Sequence, residues 1–171
     1  MPQAIHQTAA TEPNPIESVA QHERSLPQAA AVLAYAGSLP VIVASLLVLL
    51  RPSDFGPGAV KFMLTFGGLL IAFFGGVRWG IAVMGRDGPT FRGLVGGVVP
   101  ILLALPLFYF GSDIVRFVII IVALPVLLWD DLKATRRGSG APEWYLGVRT
   151  PLTILMTVSF VVAFIQVLFN V

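Results

Sequence analysis

Apolar residues fall in five long blocks along the chain, at about 29–50, 60–84, 93–110, 114–129 and 151–169. A transmembrane helix needs about 20 apolar residues to cross ~30 Å of hydrocarbon, with a working range of roughly 17–25. The pattern therefore predicts an all-α polytopic transmembrane bundle of five spans. The breaks between blocks are of the kind that end helices. Arg51-Pro52 follows the first, and proline disfavours helix for the residue before it. Gly111-Ser112-Asp113 separates the third from the fourth, with a Ser or Asp placed to cap the next helix, so these two predict a tight helical hairpin. Thr150 is placed as N-cap of the fifth and Pro151 as its first residue, where the missing N–H is harmless. The third and fourth blocks are short. With one of them buried or re-entrant, four spans are the alternative, and the C-terminus would return to the side of the N-terminus.

Composition closes off other classes. Of 171 residues, 56% are apolar and 12% charged, against about 45–50% and about 25% in an ordinary soluble domain. With a mean hydropathy of +0.86, a soluble enzyme is excluded. Residues 1–25 depart from the pattern, with three Pro, three Glu, two His and one Arg, and read as a disordered tail. They lack the basic start and apolar core of a secretory signal and the arginine richness of a transit peptide. The first apolar block then serves as both targeting signal and anchor. With five spans, one side holds seven basic residues, Arg24, Arg86, Arg92, Lys133, Arg136, Arg137 and Arg149, and the other three, Arg51, Lys61 and Arg116. Basic loops stay in the cytoplasm, which predicts a cytoplasmic N-terminus and an external C-terminus. Cysteine is absent, which excludes disulfides, a thiolate nucleophile and Cys-ligated zinc or iron–sulfur sites. The basic residues are scattered near block ends, unlike the clustered face of a nucleic-acid binder.

Gly68, Ala72, Gly76 and Gly80 recur every four residues in the second block and predict a shallow helix-packing stripe. Arg78 falls off that stripe, on the face of Ile71, Phe74 and Gly75. It lies ~9 Å from the helix end at Met84, so two readings are open. Its side chain can snorkel to the headgroups with Trp79 as interfacial anchor, or it can pair with Asp130 or Asp131, which end the fourth helix on the same side. The loop expected at 130–150 carries Lys133, Arg136, Arg137 and Arg149, suited to anionic headgroups, and Trp144 and Tyr145, suited to the interface. Pro40, Pro100, Pro106 and Pro125 interrupt span interiors, where neighbouring helices tolerate them. No span interior carries a carboxylate, which counts against proton- or cation-coupled transport. Both histidines, His6 and His22, lie in the tail, so Ser38, Ser45, Thr65, Thr153, Thr157 and Ser159 have no base nearby and are expected to bond backbone carbonyls of their own helices. No catalytic residue, metal site or cofactor is expected.

FFGGVRWGIAV at 73–83 and APEWYLGVRTPLT at 141–153 resemble a family of small multi-pass membrane proteins of unknown function. That family is common in proteobacteria and has a mitochondrial transmembrane-protein relative. The resemblance covers about 27–169. In the family pattern the first motif reads small-small-x-basic-Trp-Gly, often with histidine as the basic residue. Arg78 occupies that place here, and arginine stays protonated and does not ligate metals. The second motif corresponds to Pro142, Trp144, Tyr145, Arg149, Leu152 and Thr153. The resemblance implies an inner-membrane protein and supplies no activity.

The expected function is non-enzymatic: an accessory, assembly or stabilising subunit that packs against a membrane complex or its lipids. A small transporter or channel, as a homo-oligomer and with Arg78 facing an aqueous cavity, is the alternative from a different class. An intramembrane enzyme ranks third.

Overall fold

The computed structural model describes residues 28–50, 55–85, 88–138 and 141–169. The expected tail, Arg24, Arg51 and Arg86 lie outside the described residues. The secondary structure is five helices: α1 (Gln28–Leu50), α2 (Gly56–Met84), α3 (Phe91–Tyr109), α4 (Asp113–Arg136) and α5 (Glu143–Leu168). Four of them, α1, α2, α3 and residues 144–168 of α5, are long and apolar enough to cross a membrane. In α4 the apolar run is confined between Arg116 and Asp130.

Local chemistry explains the ends. Thr90 caps α3 by accepting from the Gly93 N–H at 3.2 Å, and Ser112 caps α4 from the Val115 N–H at 3.4 Å. Proline at the second residue of α2 lacks an N–H that the first turn would leave orphaned. At 130–150 the expectation needs correcting. α4 continues through the charged segment to Arg136, and α5 begins at Glu143, so no more than residues 137–142 separate the two helices. Thr150 is therefore not an N-cap, and Pro151 sits inside a helix. The apolar run marks what lipid solvates, whereas the helix goes on for as long as its backbone bonds are favoured. Lys133 and Arg136 in the last turn of α4 complement the helix dipole, and Gly138, at φ 78°, supplies the left-handed residue that ends it.

Helices α1, α2, α4 and α5 form a closed ring in which each packs on its two neighbours, and α3 lies outside against α2. The core runs through Val41, Met63, Leu64, Ile71, Phe117, Ile120, Leu124 and Phe160, with the rings of Phe117 and Phe160 edge-on at 6.4 Å. Ser45 donates to the carbonyl of Ser159 at 3.0 Å and ties α1 to α5. The expected α3–α4 hairpin is corrected in part. The turn is tight, with Gly111 at φ 93°, but the two helices then diverge, α3 onto α2 and α4 onto α5 and α2. Each carries a better partner surface than it offers its chain neighbour.

The small-residue stripe needs correction too. A Cβ at Gly76 or Gly80 would meet nothing within 4 Å, so those two lie off the contact, and Ala72 is half-buried. Close approach occurs one position earlier. A Cβ at Gly75 would stand 2.7 Å from the carbonyl oxygen of Gly97, and one at Gly97 would stand 2.9 Å from the Trp79 backbone. Gly67 faces Ile120 of α4 and Gly68 faces Phe108 of α3. Helix α2 is thus held between α4 and α3, and the face it buries is the one that carries Ile71, Phe74, Gly75 and Arg78.

Candidate functional site: a buried arginine–aspartate cluster

Helix α2 ends, α4 ends and α5 begins at the same end of the bundle, and these three helices bring four charges together. Asp131, only 4% exposed, accepts from Nε of Arg149 at 3.2 Å and pairs with Nε of Arg78 at 3.4 Å. Arg78 reaches past it to Asp130 through a direct Nη1–Oδ2 contact. The Tyr145 hydroxyl donates to Asp131 at 3.4 Å. Arg149 is 2% exposed; its guanidinium lies over the Phe74 ring at 3.3 Å from the centroid and donates to the Thr153 hydroxyl at 2.5 Å. That hydroxyl in turn donates to the Arg149 carbonyl at 2.8 Å.

A charge taken out of water is tolerated when it is paired and its remaining polar atoms are bonded. Two arginines against two aspartates meet the first condition here, and Tyr145 and Thr153 meet much of the second. The geometry also needs space on α3. A Cβ at Gly96 would stand 3.2 Å from Nη2 of Arg78, so the guanidinium rests where that side chain is missing.

Of the two readings of Arg78, the structure places it against the carboxylates and leaves it 12% exposed. Tyr145 and Arg149, expected at the headgroup level, are in the cluster instead, because α5 begins before them. Trp144 is half-buried, while Arg136 and Arg137 are exposed. Sequence reasoning missed the roles of Phe74, Arg149 and Thr153. A signal was present: Tyr145, Arg149 and Thr153 are spaced by four and share one helix face, provided that the helix is begun at 143. Ser38, Thr65 and Ser159 donate to carbonyls of their own helices. Ser45 bonds across to α5 instead, and the buried Thr157 hydroxyl has no partner among the described residues. Among the described residues no group of His, Asp and Glu is placed to hold a metal.

Beside the cluster, a cleft of about 840 Å³ lies where α3 and α4 diverge, with Arg78, Ile81 and Ala82 of α2 as its floor. Replacing Arg78 by Gln and Asp130 by Asn, singly and together, is expected to give non-additive losses. Because Asp130 is 53% exposed, the coupling energy should be about 0.5–1 kcal/mol, read from unfolding of the purified chain in mild detergent. Additive losses would remove the pair.

Fold and site together define a polytopic helical membrane protein whose helix ends are tied by a charge-balanced cluster. Residues 26–165 match the family described as "Protein of unknown function (DUF3429)", and the chain belongs to that family. It is similar to Transmembrane protein 69 of Xenopus tropicalis, at 29% identity over 141 residues that cover 81% of this chain and 54% of that protein. Transmembrane protein 69 of Mus musculus is 25% identical over 142 residues, covering 81% and 56% respectively. The chain thus spans about half the length of these relatives. No solved structure matches it.

Proposed function

We propose that this chain is a non-enzymatic accessory, assembly or stabilising subunit of a membrane complex, resident in a bacterial inner membrane with its N-terminus in the cytoplasm and its C-terminus outside. The observation that carries the reading is the engagement of Arg78. Its charge is met by Asp130 and Asp131, so the group that a transport path would present to a substrate is already neutralised inside the protein. Arg149 is likewise turned inward, against Asp131, Thr153 and the Phe74 ring. The proposed orientation draws on the exposed Arg92, Arg136 and Arg137 and on Lys133, all at the end of the bundle that carries the cluster. Arg149 stands at the same end, buried against Asp131.

The cleft between α3 and α4 favours the second reading, a small transporter, since Arg78 forms part of its floor. Gentle extraction of the native full chain, followed by a native gel and mass spectrometry of the co-migrating proteins, separates the two. Migration within a defined membrane complex is expected. A solitary monomer that shows substrate-dependent flux in liposomes would overturn the accessory role.

A further inference from the structure

We propose that the cleft between α3 and α4 is a binding site for one anionic phospholipid, with its phosphate among Arg92, Lys133 and Arg137 and an acyl chain along Val99, Leu103 and Val126. All six residues line the cleft. The three basic ones stand at its mouth, at the start of α3 and the end of α4. The three apolar ones lie deeper and are exposed, because the two helices diverge instead of closing on each other. From Arg92 to Leu103 the helix rises ~16 Å, about half of the ~30 Å hydrocarbon core, so the cleft is as deep as one leaflet. Trp129 marks the boundary on α4. It is exposed, and Nζ of Lys133 sits 5.0 Å from its ring centroid, as expected where headgroups meet hydrocarbon.

Charge complementarity selects an anionic lipid. Asp130 and Asp131 also face the mouth, but Arg78 engages both and Arg149 engages Asp131. Among the described residues, the exposed positive charge of Arg92, Lys133 and Arg137 is therefore left over after the cluster is balanced. A soluble anion would satisfy these cations and leave the apolar walls without a partner; a phospholipid satisfies both. The site does not depend on a protein partner, and a solitary monomer would hold the same lipid.

The test uses the delipidated full chain in mild detergent, read by native mass spectrometry and by titration. Phosphatidylglycerol should bind at one equivalent, and phosphatidylcholine with the same chains at least about tenfold more weakly. Arg92→Gln, Lys133→Gln and Arg137→Gln, all at solvent-facing positions, should each weaken binding about fivefold. Arg136→Gln, exposed close by but outside the cleft, should change it less than about twofold. Val99→Trp combined with Val126→Trp fills the cleft from exposed positions and should abolish the single equivalent while the helical circular dichroism stays unchanged. Three results would each overturn the proposal: an equal loss with Arg136→Gln, which means diffuse surface attraction; no effect of the tryptophans, which means that the chain lies elsewhere; or displacement by inorganic phosphate, which means a free-anion site.

Discussion

Replacing Asp131 by Ala is expected to be the most damaging single substitution in the described part of the chain. The carboxylate is the shared anion of Arg78 and Arg149, and Arg149 is buried with no other acid against it among the described residues. Removing one partner of a buried pair leaves an uncompensated charge and costs about 3–5 kcal/mol. Asp131→Asn, which keeps the shape and loses the charge, should fall between Ala and the native chain. Replacing both Asp131 and Arg149 by Leu should recover part of the loss, since a well-packed apolar pair is often as stable as the ion pair it replaces. Unfolding of the purified full chain in mild detergent measures all three. If Asp131→Ala unfolded within about 1 kcal/mol of the native chain, the cluster would not be what ties α2, α4 and α5 together.

The second large effect is expected where α2 and α3 touch. Gly75→Ala would drive a methyl to 2.7 Å from the Gly97 carbonyl oxygen, and Gly97→Ala to 2.9 Å from the Trp79 backbone. In both cases the obstacle is main chain, which cannot swing away as the tip of a side chain can. Each should cost about 1–3 kcal/mol, and Gly97→Leu more. Gly76→Ala and Gly80→Ala, with nothing within 4 Å, provide the contrast. There alanine improves helix propensity by up to about 1 kcal/mol and should leave the melting temperature unchanged or raise it. Equal losses at Gly75 and Gly76 would mean that the α2–α3 contact is wrongly placed.

The face of α2 that carries Ile71, Phe74, Gly75 and Arg78 follows from helical spacing. Of the expected contact face, Gly68 meets Phe108 and Ala72 packs on the core, whereas Gly76 and Gly80 lie off any contact, because small size makes close approach possible without showing which neighbour approaches. The true counterpart on α3, Gly93, Gly96 and Gly97, is also regular, at i, i+3 and i+4, but shorter than the run on α2. Arg149 was misplaced for a different reason. Hydrophobicity begins at Pro151, whereas the helix begins at Glu143, and the eight residues 143–150 form helix that the apolar pattern does not mark.

Membrane character, the number of long helices and most of their limits were legible in the linear chain, because the free energy of placing a segment in lipid is set by that segment's own side chains. Which helices become neighbours, and which charges cancel, depends on contacts between positions far apart in the chain. Arg78 and Asp130 are separated by 52 residues; the chain offers their pairing as one of two readings, and no local property of either one decides between them. Their pairing, the burial of Arg149 beneath Asp131 and the opening between α3 and α4 all came from the packing of α4 against α2 and α5. That packing is settled by the fit of whole helix faces, which short-range pattern does not encode.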